Sequence, residues 1–342
     1  MDMQGSSVDR LTPQNSLLFD RWAGRLPWPR GWVIAASGAL FLAAPAIIGY
    51  LDGVPRLFTD YRAQFIYAFM FVYVLAVVPL VLGTREEVAQ SLRPLVQLDD
   101  VRFCTLVAGA CAIRPAGEIG AFGVGMAIGL AINVYFEPLP EHAHLLDIYA
   151  YLSRVALFGV IGWTIYVLIA TTRLTNVLLR QPLDVNIFDI KPFEPIGRQG
   201  LWLSLSLIGG VALSLFSVSF RNRALWLEYW ITYSAVIALA ILVFFLNMRP
   251  AHRVLAAAKS RQLAYIERNL AETYARFQEL LAADRNSFAL ATQINAIAAI
   301  KHELKTSGTW PYNTEMLRTL FISVLAPLFA ALARMAESLL RG

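Results

Sequence analysis

Six apolar stretches, each close to the length that crosses a bilayer, constrain this chain more than any other feature. They cover residues 31–51, 63–84, 119–136, 148–172, 200–220 and 229–248, and Arg154 is the one charge inside them. A helix crossing about 30 Å of hydrocarbon takes about 20 apolar residues. Lipid offers no partner for a bare backbone N–H or C=O, so each stretch is expected to be an α-helix. Composition agrees: 57% of residues are hydrophobic and 15% charged, against the roughly 25% charge of soluble domains. A single soluble core of this size would leave much of that apolar surface in water.

Lysine and arginine then set the orientation. With the N-terminus inside, the inner segments ahead of the tail carry Arg10, Arg21, Arg25, Arg30, Arg85, Arg93, Arg102, Arg114, Arg173, Arg180, Lys191 and Arg198, twelve in all. The outer loops carry four, Arg56, Arg62, Arg221 and Arg223. Residues 1–30 read as a basic, disordered segment without a signal peptide. The net charge of +5 follows from this bias, and no groove-reading motif accompanies it, so nucleic acid is not expected as a partner.

Two apolar runs remain ambiguous. Residues 103–113 are too short to span and end at Arg114-Pro115, so they suit a re-entrant, interfacial or inner-loop core helix. Residues 317–333 contain Pro327, and a helix lying on the membrane or buried in an oligomer is favoured over a seventh span. Between these runs the chain changes character. Residues 250–283 are rich in helix formers, and Leu263, Ile266, Leu270, Thr273, Phe277 and Leu280 alternate at spacings of three and four, an a/d seam. A second tail helix is expected over 287–304. Asn313 is the expected N-cap of the last helix, 314–335, with Glu315 in its first turn.

Candidate functional positions are few. Gly120, Gly125 and Gly129 lie in the glycine-rich third stretch, and Gly125 and Gly129 form a G-x-x-x-G. Ser206, Gly210, Ser214 and Ser217 share one face of the fifth. Both sets suit close helix packing in lipid, and packing is preferred to a gate or pore. Charges at or near the membrane are Arg114, Glu118 and Arg154. Each stands near a span end, which argues against a buried proton- or sodium-coupling carboxylate. An Arg114–Glu118 pair is the simplest expectation for the first two. Glu141, His142, His144 and Asp147 have metal-binding side chains but no visible third strong ligand, and loop polarity is preferred. Cys104 and Cys111, seven apart, fit packed helix positions rather than a redox or metal pair. The loop 182–198, with three prolines, is expected to form a collar on the tail helices or a partner site.

Catalytic patterns are missing. His302-Glu303 lacks the second histidine of H-E-x-x-H, there is no G-x-S-x-G and no Walker A loop, and residues 120–125 (GAFGVG) lie within a span. No cofactor or metal is expected. The prolines of 182–198 and the Trp310-Pro311-Tyr312-Asn313 turn before the last helix resemble uncharacterised bacterial multi-span membrane proteins with a cytoplasmic helical tail. That resemblance implies an inner-membrane location and carries no activity.

The expected protein is therefore all-α: a polytopic transmembrane bundle of about six spans over 31–248, N-terminus inside, and a cytoplasmic helical or coiled-coil region over 249–342. The favoured function is a non-enzymatic, oligomeric membrane scaffold or sensor. Its partners would be membrane lipids, a second copy, and a cytoplasmic protein bound through the 250–305 helices. A passive channel or transporter is the alternative. An intramembrane enzyme acting on a lipid-linked substrate, using Arg114, Glu118 and His302, ranks third.

Overall fold

The computed structural model describes residues 30–52, 58–136, 138–218, 227–282 and 288–341. The expectations for residues 1–29 and for Arg56, Arg221 and Arg223 fall outside these, as do the side chains of Arg62, Ser217 and Glu228. Among the described residues nine α-helices follow in order: α1 (Arg30–Leu51), α2 (Phe58–Leu92), α3 (Asp100–Cys111), α4 (Pro115–Phe136), α5 (Leu145–Leu178), α6 (Glu194–Val218), α7 (Leu227–Ala282), α8 (Phe288–Thr306) and α9 (Thr314–Arg341). Short 3-10 turns at Arg93–Leu95 and Lys191–Phe193 link them. An isolated bridge between Val96 and Leu183 is the one β feature among the described residues.

Six helices are long and apolar enough to cross a membrane, and they carry the six stretches read from the sequence. Their outward faces are greasy: Ile119, Val124, Ile128, Val134, Ile165 and Ile169 all stand exposed. Water does not tolerate a band of that extent on a soluble protein, whereas lipid makes it cost nothing. The helices run alternately up and down. α4 lies on α5, α2 on α5 and α6, α6 on α7, and α1 on α2. We call the end holding α3, the 182–193 loop and the helices beyond Met248 the tail side.

The tail side has a core of its own. Residues 103–111 of the 103–113 run lie in α3, which packs on α5 and ends at Cys111 rather than continuing into α4. Phe103, Val107, Ala110 and Cys111 of α3 join Leu92, Leu174, Leu178, Phe193, Ile196 and Leu255 in one buried cluster. This resolves the ambiguity of that run in favour of a core helix. Its polar edge is held by an Arg93–Asp100 ion pair, with the Arg93 guanidinium 4.8 Å from the Phe103 ring centroid. The loop from Pro182 runs beside the end of α2: Gln97 N–H donates to Pro182 O at 3.2 Å and Asp184 N–H to Leu95 O at 2.9 Å. Ser91 Oγ donates to Pro192 O at 2.7 Å.

α7 is the longest element, 56 residues without a break through Pro250. Its apolar part ends near Met248, and the remainder extends about 50 Å further at 1.5 Å per residue. α8 folds back on it. The seam predicted from Leu263 to Leu280 is shielded, while Glu267, Arg268, Glu272 and Arg276 between its members are exposed. On α8 the shielded positions include Leu290, Ile294, Ile297, Lys301 and Leu304, at spacings of four and three, with Ala291 beside the first. The two helices thus form an antiparallel hairpin within one chain.

The hairpin returns the chain to the bundle, where α9 starts beside the start of α6. Asn313 Oδ1 accepts from Met316 N–H at 2.8 Å, the expected N-cap, and Asn313 Nδ2 reaches Glu194 Oε1 at 3.5 Å. From there α9 packs along α6. Leu320 and Val324 are buried in one cluster with Ile208 and Val211 of α6 and Ile237, Ala240 and Phe244 of α7. Phe321, Ile322, Leu325 and Phe329 face outward.

Candidate functional site: the tail-side joint

The most elaborately built part of the molecule is the joint between bundle and hairpin. Prolines 182, 192 and 195 keep the 182–198 segment out of a single helix, so the chain crosses the base of the bundle as an extended strap. Two of its side chains point in different directions. Phe193 is wholly buried in the tail-side core. Ile187 is buried against Ala258 of α7 and Leu304 of α8, with Val185, Leu263 and Ile266 around it. The strap therefore wedges the hairpin base against the bundle.

Polar contacts fasten the same joint. Lys259 Nζ of α7 donates to Lys305 O at 2.8 Å and to Ser307 O at 2.7 Å. The first is a carbonyl of the last turn of α8 and the second lies just past its end; carbonyls at a helix C-terminus lack a helical partner and favour a cation. The ring of His252 stacks on Trp310, with centroids 4.1 Å apart and planes 9° from parallel. His252 Nδ1 also lies 3.2 Å from Thr309 O. Trp310 meets Phe245 edge-on at 6.1 Å. Gly197 of α6 is where the 309–313 turn presses closest, since a Cβ there would collide with the carbonyl of Pro311. Further out, Lys301 bonds Glu267 at 2.9 Å, and this hydrogen bond, with the ammonium charge, holds the Glu267 carboxyl below its ordinary titration range.

Behind the joint lies a layer of buried polar groups. Arg85 is 4% exposed. One of its nitrogens donates to Cys111 O at 3.5 Å, while Nε and Nη2 have no hydrogen-bond partner among the described residues. Thr175 Oγ1 donates to Gln199 Oε1 at 2.7 Å, and Ser204 Oγ to Ala240 O at 2.8 Å. Asn247 Nδ2 reaches Ile196 O at 3.4 Å. These groups tie α2, α3, α5, α6 and α7 together where an unmade bond costs most.

The positions singled out from sequence separate. Gly125 and Gly129 stand against α5, where a Cβ on either would run into Phe158, and Gly159 and Gly162 of α5 face back at Phe122, Met126 and Ala121. Gly120 opens to empty space and takes no part. Ser206 bonds Leu203 O at 2.6 Å along its own helix. The face it shares with Gly210 looks at Tyr73, whose hydroxyl donates to Ser206 O at 2.8 Å. Ser214 is half-buried. Glu118 is fully buried and accepts from Trp163 Nε1 at 3.0 Å, whereas Arg114 is exposed in the α3–α4 turn. Arg154 is half-buried in α5. His302 is exposed on the hairpin, away from the layer that holds Glu118.

Asp147 and Asp52 serve the start of α5. Asp147 accepts from His144 N–H and Asp52 from Leu146 N–H, both at 3.0 Å. No group of three metal-ligating side chains occurs among the described residues. Sequence reading missed Arg85, Gln199, Asn176 and Asn247. Arg85 ends an apolar run and so reads as a boundary, but α2 continues seven residues past it. A groove of about 360 Å³ opens between α5, α6 and α7, with Asn176 and Asn247 at its tail-side end. Comparison of the chain with protein-family models, with characterised proteins and with solved structures returns no match.

Proposed function

We propose that this protein is a non-enzymatic membrane scaffold or sensor. It acts by holding a rigid helical hairpin in fixed relation to a transmembrane bundle and offering that hairpin to a cytoplasmic partner. The observation carrying this reading is the joint. Ile187 wedges Ala258 and Leu304 while Lys259 clamps the end of α8, and α7 itself passes unbroken from span to hairpin. Such a connection transmits a tilt or rotation of the bundle to the hairpin tip. Exposed Tyr265 and Tyr274 give the hairpin aromatic contact points of the kind that anchor protein interfaces. The arginine bias supports a cytoplasmic tail side, and the resemblance to bacterial multi-span proteins supports the inner membrane.

The packing of Leu320 and Val324 beside mid-span residues of α6 and α7 supports α9 as a further membrane-inserted helix, and its 28 residues reach about 42 Å. The C-terminus is then expected outside. Cysteine placed after Arg341 and labelled from each face checks this; labelling from the cytoplasmic face alone rejects insertion.

Pulsed spin–spin distances test the rigid joint. With Cys104→Ser and Cys111→Ala as background, labels at Ala116→Cys and Arg276→Cys should give one narrow distribution, which Ile187→Ala broadens. A broad distribution in the unmodified joint would overturn the coupling. Native mass measurement in detergent tests the oligomer, and a monomer with no bound partner rejects the scaffold reading.

A further inference from the structure

The groove between α5, α6 and α7 has a polarity gradient that identifies its occupant. α5 and α7 run in the same direction with α6 antiparallel between them, so α6 forms a floor at Leu203 and Leu207 and the other two form walls. The α5 wall runs from Ile165 to Asn176 and the α7 wall from Leu239 to Asn247. Eleven residues of helix measure about 16 Å, close to one leaflet, half of the ~30 Å hydrocarbon thickness. The far end is purely aliphatic. The tail-side end turns polar at Thr172, Asn176 and Asn247.

Three details mark that polar end as a place for a ligand rather than a helix contact. The carboxamide of Asn176 makes no hydrogen bond among the described residues, although it faces the groove. Pro250 has no N–H, so the Leu246 carbonyl beside Asn247 lacks its helical donor. Arg173 follows the lining residue Thr172 in sequence and Arg249 lies two residues past Asn247; both are exposed, with no carboxylate partner among the described residues. An aliphatic slot one leaflet long, ending in amides with exposed arginines next to that end in sequence, matches a lipid with an anionic head. We propose that this groove binds one acyl chain of an anionic phospholipid from the tail-side leaflet. The glycerol esters lie at Asn176 and Asn247, and the phosphate lies between Arg173 and Arg249. This site is separate from the joint and does not depend on the scaffold reading.

The test uses the full-length protein, delipidated in detergent and titrated with phosphatidylglycerol or phosphatidylcholine under native mass spectrometry. One phosphatidylglycerol per chain should be retained at collision energies that strip phosphatidylcholine. Leu246→Trp and Ile165→Trp, which fill the groove from its rim without touching the core, should abolish the retained lipid. Ile128→Trp, on the lipid-facing side of α4, should leave it unchanged. Arg173→Gln with Arg249→Gln should reduce the preference for phosphatidylglycerol at least several-fold while a chain is still held. Unaltered thermal unfolding confirms that each variant folds. Retention of no lipid, retention undiminished by both tryptophans, or equal retention of the two lipids by the unmodified protein would each overturn the proposal.

Discussion

The α4–α5 contact and the tail-side joint solve the same problem, holding two elements together, by opposite means. Between α4 and α5 the contact is made by absence: Gly125, Gly129, Gly159 and Gly162 let backbones and Phe158 approach where any Cβ would collide. Lipid on the outside gives apolar side chains no reason to leave it, so close van der Waals fit does the holding. At the joint the contact is made by large groups. Phe193, Ile196, Leu255 and Leu304 are wholly or almost wholly buried, as in a soluble core, and lysine and histidine finish the edges. The comparison teaches that the chain changes its packing chemistry where it changes solvent, along a single unbroken helix.

Breaking the two contacts separates the mechanisms. The largest effect is expected at the joint: Phe193→Ala removes a fully buried ring and should cost about 3–5 kcal/mol, read as a lowered midpoint of denaturant unfolding. At the glycine contact the harm comes from addition instead. Gly125→Leu should cost about 1–3 kcal/mol through overpacking, whereas Gly120→Leu, facing open space, should leave thermal stability unchanged. If both glycine variants behave alike, the α4–α5 contact is not the one described.

Smaller changes sharpen the picture at the hairpin. Lys259→Met removes the two bonds to the end of α8 and should cost about 1 kcal/mol, visible as faster amide exchange in residues 300–307 with little change in the bundle. The smallest effect is one of pH. The Glu267 carboxyl titrates below its usual 4.5 because Lys301 bonds it. A depressed carboxyl adds stability that is fully present above the ordinary glutamate range and disappears as pH falls through the lowered value. Corrected for the intrinsic exchange rate, the protection of hairpin amides should therefore fall as pH drops through that lowered value, and Lys301→Gln should flatten that dependence. A Gln variant with the full pH dependence would show that another group carries it.

Hydrophobic run length was enough to read six helices long and apolar enough to span a membrane, because lipid imposes a one-dimensional rule: about 20 apolar residues in a row. Local sequence was likewise enough for the Asn313 cap. The candidate site was less legible. Gly125 and Gly129 are visible as a motif, but the partner that makes them necessary, Phe158, lies on another helix. Arg85 looks like a membrane boundary until α3 is folded over it and Cys111 O reaches its guanidinium.

What this sequence determines by itself is which segments leave water, since that depends only on the transfer free energy of residues taken in order. What the tertiary structure alone decides is which faces meet. Ile187, nine residues past the end of α5 at Leu178, becomes the wedge under two distant helices. Asn176 and Asn247 become one end of a single groove. Residues far apart in the chain share a site only once the helices are packed, because a pairwise contact energy has no expression along an unfolded chain.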